Sequence, residues 1–504
     1  PIQNLQRQFS LFPLYMPMIK YGTSGFRDHN TKIINIAEKI GTAMAQLVDY
    51  EKQSFGIMIT ASHNHHNDNG VKIMNMHGNM VSNKIESYLE NYVNNLYETN
   101  DSNSLPPYSP LIRIFDKDLE YLKRKNISLT IGYDSRESSP RICELIAHGI
   151  LKCNNNFPIR ILPLVTTPEL HFVFSKFDAP YLKYIKKVSK HIYYPCIVDC
   201  ANGIGGKKLK EIKVPSLELI NVSWNDHEKL NNNCSSDFVC SERKLPTSDK
   251  IIDDDSKLRA SLDGDADRIV FYYGNNDSIQ LLNGDNIAAL IFTYLCETLN
   301  PSSVVTLGYV YTGYTNNACV EYIQSLPFHE NVILKCVCTA TGVKHLHNEA
   351  EKYDIGVYFE QNGHGNVLFH KKIPSLEKLE TLFHPNIGDG ILDLFAVLFI
   401  LQELEMYAKD WYELYSPYEC LLTKHKVENK NIFSCSEDEL YLLSPLDFQK
   451  FINDKIIEED NYIRAFARPS GTENTLRLYV EGYNKEDVKR VQEKISGFIT
   501  NNYE

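Results

Sequence analysis

The chain has no excess of positive charge, no long apolar run and no CxxC cysteine pair, and each shortage removes a class of function. Lys and Arg number 52 against 64 Asp and Glu, a formal net charge of −12, whereas nucleic-acid binders carry a basic excess. An anionic ligand would need its cations gathered locally. The longest strongly apolar stretch, Leu394 to Leu401, has eight residues, against roughly 20 for a membrane helix. The N-terminal "FSLFPLYMPMI" holds two prolines and lacks a basic flank and a small-residue cleavage site, so it makes a poor signal peptide. None of the 12 cysteines forms a CxxC pair, which points to reduced core thiols rather than a disulfide frame or zinc site. A cytoplasmic protein with neither nucleic-acid nor membrane partner is expected.

What is present is an alternation of strands and helices over 504 residues, a length that suggests three or four domains. "LTIGYDS" (129–135) is a short strand ending in a turn, followed by "PRICELIAHGILKC", whose Ile142, Leu145, Ile146 and Ile150 share a helical face. "PCIVDCANGIGG" and "SSVVTLGYVYTG" repeat the strand-to-glycine-loop design, and "LLNGDNIAALIFTYL" is a helix entered through Asn, Gly and Asp. Such units build sheets with parallel strands and place ligands at strand ends. The C-terminal hundred residues differ: "YIRAFARPSGTENTLRLYVEG" reads as two strands around a Pro-Ser-Gly loop, then a helix with Val488, Val491, Ile495 and Phe498 on one stripe. The polar segments 221–236 and 249–257 are expected to be surface insertions. No solenoid-type repeat is present.

Three loops carry chemistry. In "SLDGDADRIVF" (261–271), Asp263, Asp265 and Asp267 alternate, so on extended backbone their carboxylates point the same way. Three hard oxygen donors suit Mg²⁺ or Ca²⁺. An EF-hand is excluded, because its sixth and twelfth positions would fall on Arg268 and Gly274 instead of Gly and Glu. In "ARPSGTENTLRLYVEG" (467–482), Arg468, Ser470, Gly471, Thr472, Asn474 and Arg477 collect hydroxyls, amides and two guanidiniums at a glycine turn, the donor set of a phosphate clamp. In "YFEQNGHGNVLF" (358–369), Glu360, Asn362 and His364 sit between apolar strand halves; they could bond the hydroxyls of a sugar or satisfy their own turn. A fourth loop, "MITASHNHHNDNGVKI" (58–73), presents Ser62. It lacks the G-x-S-x-G elbow of a hydrolase.

Together these loops resemble the α-D-phosphohexomutase superfamily, and within it the eukaryotic branch that handles N-acetylglucosamine phosphates. "TASHNHHNDNGVKI", "DGDADR", "FEQNGHG" and "RPSGTENTLRLYVEG" occur in the family's order over nearly the whole chain, supported by "KYGTSGFR", "TTPELH", "DCANGIG" and "TGVKHLH". The resemblance implies a four-domain α/β enzyme: three mixed α/β domains (1–170, 171–280, 281–405) and a C-terminal antiparallel α+β domain (410–504). It implies interconversion of N-acetylglucosamine 6-phosphate and 1-phosphate, in UDP-N-acetylglucosamine synthesis. Ser62 would carry the phosphate, with Mg²⁺ held by Ser62, Asp263, Asp265 and Asp267. Glu360, Gln361 and Asn362 would read the sugar; Arg468, Pro469, Ser470, Gly471, Thr472 and Arg477 would hold the other phosphate. A sugar 1,6-bisphosphate would load Ser62, and His63, Lys72 or Lys344 would move protons. The sequence departs from the family at His65, His66 and Asn67, and at Gln361, which stands in place of a smaller residue. Rival readings are a glucose or mannose phosphomutase, a Mg²⁺ phosphatase and a sugar-phosphate-binding protein without catalysis.

Overall fold

Four main sheets, each beside its own helices, follow one another in sequence order among the described residues, with a two-stranded ribbon, Ser434–Cys435 and Leu442–Ser444, beside the last. The computed structural model describes residues 18–22, 25–94, 113–114, 128–174, 180–247, 257–275, 278–459, 461–471 and 474–504. The N-terminal "FSLFPLYMPMI" lies outside them except for Met18 and Ile19, as do nearly all of 249–257 and Thr472. Among the described residues no helix is long and apolar enough to cross a membrane.

The first sheet is mixed. Its order is Tyr21–Gly22, Gly25–His29, Asp68–Met74, Phe55–Ile59, Leu129–Tyr133, Ile159–Pro163 and Arg113–Ile114. The first four strands pair antiparallel and the remainder parallel. Helices Asn30–Glu51 and Ser139–Cys153 pack together, at one point so tightly that a Cβ on Gly41 would stand 2.0 Å from the Ile146 carbonyl oxygen. The apolar stripe of Ser139–Cys153 is buried at Ile142, Leu145, Ile146 and Ile150.

The second sheet runs Ser278–Leu282, Ile269–Asn275, Arg259–Leu262, Cys196–Asp199, Leu217–Ile220, and the third Val332–Thr339, Val305–Thr312, Ile355–Phe359, Gly365–Phe369. One hydrophobic core serves both, running from Phe172 to Trp411 without a break at the boundary between them. The apolar run 394–401 explains this continuity. It lies in helix Gly390–Glu403, where every residue from Gly390 to Leu401 is buried, as a helix apolar on all sides must be. Burying each Leu, Ile or Phe there stabilises the fold by roughly 1.5–3 kcal/mol relative to exposure.

The fourth sheet is antiparallel, Glu419–Lys426, Thr475–Gly482, Ile463–Pro469, and is covered by helix Lys485–Tyr503. Val488, Val491, Ile495 and Ile499 of that helix are buried, while Phe498 packs at the core's edge.

Polar composition misleads at 221–236. This segment is not a surface insertion: Leu230, Cys234, Ser235 and Ser236 are buried, and two of its side chains reach the first domain. His227 Nδ1 lies 2.5 Å from the Ser135 carbonyl oxygen, and Asn231 bonds the loop that carries Ser62. Amides can be buried wherever backbone carbonyls accept their hydrogens.

Candidate active site

Ser62 follows the fully buried strand Phe55–Ile59 and is itself buried. Its φ of 53° lies in the left-handed region, which costs a non-glycine residue about 1–2 kcal/mol. Such strain persists only where the surroundings over-determine it. Here the Ser62 N–H donates to Thr60 Oγ1 at 2.9 Å, and its carbonyl oxygen accepts from Arg136 Nη2 and Asn231 Nδ2, both at 2.9 Å. The hydroxyl that results points across the domain boundary, donating to Asp263 Oδ2 at 2.6 Å with Asp267 Oδ1 at 3.3 Å.

Asp263, Asp265 and Asp267 converge, with one carboxylate oxygen of each within 4.8 Å of the others. The expected extended backbone is not how they do so. The strands Arg259–Leu262 and Ile269–Asn275 are antiparallel neighbours, and residues between them form a turn with Ala266 at φ 56°. Asp263 Oδ1 accepts from the N–H groups of Asp267 and Arg268 at 3.1 and 3.3 Å, tightening that turn. Gly264 is required there, since a Cβ would stand 2.7 Å from the Ser62 carbonyl oxygen.

Three buried carboxylates repel one another, and the surrounding cations decide how the charge settles. Lys72 Nζ bridges Asp265 Oδ2 and Asp267 Oδ2 at 2.9 and 2.7 Å. Burial alone would lower the Lys72 pKa, but Asp265 and Asp267 outweigh it and raise it. Burial would raise Asp267; Lys72, His364 and Arg268 hold it well below the carboxylate range. Asp263 stays well above that range, through burial and then its two acidic neighbours. Burial, with Arg268 and Arg27 nearby, keeps His63 neutral. Asp265 accepts from Thr167 Oγ1 at 2.6 Å through Oδ2, yet its Oδ1 is buried without a partner among the described residues. A buried acceptor with no donor, among oxygen ligands and no sulfur or nitrogen, fits a hard dication such as Mg²⁺.

The sugar-loop candidates form the hairpin turn between Ile355–Phe359 and Gly365–Phe369. Gly363, at φ +81°, rides so close that a Cβ would lie 1.8 Å from the Ile269 carbonyl oxygen. His364 Nδ1 is 2.6 Å from the Asp267 carbonyl oxygen, so this hairpin sits directly on the acidic turn. Asn362 Oδ1 accepts from the His364 N–H at 2.9 Å, and Glu360 is partly exposed. Gln361 turns inward, donating from Nε2 to Asp285 Oδ2 at 3.0 Å.

In the fourth domain Arg468 and Arg477 are register partners on antiparallel strands. Like charges directly opposite are destabilising, and an anion between them is the simplest remedy. Arg468 is preset, with Nε on Tyr314 Oη and Nη1 on Glu439 Oε1, each at 2.9 Å. Arg477 Nε is buried without a partner among the described residues. Lys430 Nζ braces the turn by donating to the carbonyl oxygens of Ser470 and Gly471 at 2.9 and 2.8 Å. Among the described residues nothing stands within 4 Å of where a Gly471 side chain would begin. Pro469 ends the strand.

The three proton-carrying candidates separate. Lys72 touches the acidic triad, His63 Nε2 lies 3.8 Å from Asp237, and Lys344 Nζ bonds Asn83 and Glu86 of the first domain instead. Sequence reasoning missed Arg136, Asn231, Thr167 and Lys430. For Arg136 a signal existed, a charge set directly after a buried strand in "IGYDSRESS"; for Asn231 there was none.

Four family models match the chain in order. Phosphoglucomutase/phosphomannomutase, alpha/beta/alpha domain I, covers residues 18–100 and 113–186. Phosphoacetylglucosamine mutase AMG1, domain II, covers 165–270, and domain III covers 283–379. Phosphoglucomutase/phosphomannomutase, C-terminal domain, covers 450–497. The phosphoacetylglucosamine mutase of Candida albicans is 32% identical over 95% of this chain and 96% of its own length. Phosphoacetylglucosamine mutase 1 of Schizosaccharomyces pombe is 33% identical over 95% and 98%. Among solved structures, an N-acetylglucosamine-phosphate mutase in its substrate complex superposes with a TM-score of 0.82 at 30% identity, covering 96% of both chains. The Aspergillus fumigatus enzyme in complex with GlcNAc-6P and magnesium gives 0.81 at 28% identity over 96% of both chains. A serine-to-alanine variant of the Aspergillus fumigatus enzyme, in complex with glucose 1,6-bisphosphate, gives 0.77 at 27%, over 97% of this chain and 96% of that one. With the likeness running through all four domains, the chain belongs to the phosphoacetylglucosamine mutase family of the α-D-phosphohexomutase superfamily.

Proposed function

We propose that the chain interconverts N-acetylglucosamine 6-phosphate and N-acetylglucosamine 1-phosphate by way of a phosphorylated Ser62 and a sugar bisphosphate. The observation that carries this reading is the Ser62 hydroxyl, buried 2.6 Å from Asp263 at the edge of a three-carboxylate cluster. A binding protein needs no such serine. The free hydroxyl stands in for the phosphoserine, whose charge of about −2 needs compensation among these acids.

Asp263, Asp265, Asp267 and the Ser62 phosphate are the groups that would hold Mg²⁺, which when bound neutralises charge on the transferring phosphoryl group. Lys72 and Arg268 supply further positive charge, Arg268 Nε lying 3.7 Å from Asp267 Oδ1. In the first half-reaction a sugar hydroxyl loses its proton as its oxygen bonds the phosphorus carried by Ser62. The bond from phosphorus to Ser62 Oγ breaks, and that oxygen takes up a proton. Lys72, the candidate in contact with the triad, is placed to give it. The bisphosphate then presents its other phosphate to Ser62, whose hydroxyl loses its proton as Oγ bonds phosphorus; the bond from that phosphorus to the sugar oxygen breaks, and the sugar oxygen takes up a proton. Arg468, Ser470, Gly471, Thr472 and Arg477 grip the phosphate that is not transferred, and Glu360 with Asn362 reads the sugar hydroxyls. Gln361, bonded to Asp285, supports that loop from behind.

Turnover on acetylated and plain hexose phosphates, with glucose 1,6-bisphosphate as primer, tests the assignment, followed by peptide mass mapping of residue 62. The expected result is preference for the acetylated sugar and a labelled Ser62. Preference for glucose or mannose phosphate, or release of free phosphate without isomer, would overturn it.

A further inference from the structure

Asn231 lies in the segment whose composition reads as surface, yet it grips the same two atoms as Arg136. Arg136 Nη2 donates to the carbonyl oxygens of Ser62 and Asn64 at 2.9 and 3.0 Å, and Asn231 Nδ2 donates to the same pair at 2.9 and 3.0 Å. The second Arg136 amino group donates to the carbonyl oxygens of His65 and Asp68 at 2.7 and 3.0 Å. Arg136 is fully buried and is fixed by Asp134 through Nε at 3.2 Å. Asp134 also accepts from Thr60 Oγ1 at 2.7 Å, and Thr60 Oγ1 accepts the Ser62 N–H. Both backbone polar atoms of Ser62 are thus tied to side chains. One jaw of the clamp comes from the first domain and the other from the second.

Asn231 is itself seated for this task. Its N–H donates to the Ala201 carbonyl oxygen at 3.0 Å, and its φ is 56°. Asn202 of the same glycine loop donates to the Lys229 carbonyl oxygen at 3.2 Å. Gly264 lies below, with room for neither a Cβ against Ser62 nor one against the Asn231 amide. We propose that Asn231 is a positioning residue for phosphoryl transfer, closing with Arg136 on the carbonyls of Ser62 and Asn64 so that the serine oxygen stays aimed at Asp263. Without the second jaw the strained backbone relaxes and the oxygen swings from its line of attack. The inference rests on Ser62 being the phosphate carrier.

Asn231→Gly tests it, because glycine accepts this φ without strain and only the amide is lost. The expected result is a fall in kcat of about 10–100-fold, the cost of a small misplacement of a reacting group. KM for N-acetylglucosamine 6-phosphate and the melting temperature should stay at wild-type values. Loading of Ser62 from glucose 1,6-bisphosphate, followed by intact mass, should slow in parallel. Asn231→Asp, equal in size but unable to donate, should be at least as slow. An unchanged kcat overturns the proposal, as does a loss of kcat that tracks a lowered melting temperature. Ser62→Ala assayed alongside separates the two readings. If it turns over normally the carrier assignment falls as well; if it is dead while Asn231→Gly is fully active, only the clamp falls.

Discussion

Ser62 and the 468–477 loop both handle phosphate, and they are built in opposite ways. Ser62 is buried, its N–H, carbonyl oxygen and hydroxyl are each bonded to side chains, and its backbone is strained. Around Gly471, among the described residues, nothing crowds the glycine, two arginines stand in register and one guanidinium nitrogen has no partner. A group that must transfer has its geometry fixed beforehand, which is where rate comes from. A group that must only be held can be met by a turn completed by the ligand. The contrast predicts that damage at the first site removes kcat and damage at the second raises KM.

The largest expected effect is that of Ser62→Ala, which removes the carrier. Turnover should drop by roughly 10⁴-fold or more, with an unchanged melting temperature. Residual mutase activity within tenfold of wild type would break the contrast at its root. Next comes metal removal. A chelator should abolish isomerisation and Mg²⁺ should restore it, while Asp263→Asn should lower both activity and the Mg²⁺-induced rise in melting temperature. A chelator-resistant rate would separate the triad from catalysis. Arg468→Ala should be milder and of a different kind. Loss of a charge-assisted hydrogen bond worth about 1.5–3 kcal/mol should raise KM about 10–100-fold with kcat least affected. A kcat defect equal to that of Asp263→Asn would erase the distinction between the two loops.

The smallest effect concerns stability. Asp389 caps helix Gly390–Glu403, accepting from the N–H groups of Ile391 and Leu392 and from Tyr181 Oη. Burial pushes its pKa up to about 7 despite those bonds. A carboxyl with a folded pKa above its unfolded value contributes stability that is complete below about pH 4 and lost as the pH climbs through 7. Asp389→Asn keeps the cap and removes the ionisation. It should melt above wild type at pH 8, by the equivalent of roughly 1–3 kcal/mol, with the gap closing near pH 4. A gap independent of pH would refute the titration.

The elements that could be read from sequence are those whose signal is local. The stripe of Ser139–Cys153, the strand Leu129–Tyr133 before it and the two strands around the Pro-Ser-Gly loop all follow from short-range periodicity and turn residues. The meeting of Ser62 with Asp263 spans 201 positions, and only the order of the four family motifs pointed to it. The acidic turn was misread as extended because alternation of Asp and small residues fits either backbone, and a left-handed Ala266 leaves no compositional trace. Segment 221–236 was misread because amides look solvent-loving until the carbonyls that accept from them are known. Asn231 finds its acceptors 169 and 167 residues earlier, and nothing near it announces them.

Ser62 and Lys72 belong to the first sheet and its loops, whereas the acids they face belong to the second. A chain leaving the ribosome therefore presents the serine long before any carboxylate of the triad has been made. Until the second domain docks, Lys72 has no acidic counterpart and the hydroxyl has no partner across the cleft. The phosphoryl-carrying half of the site is therefore assembled by docking, not by the folding of either domain alone.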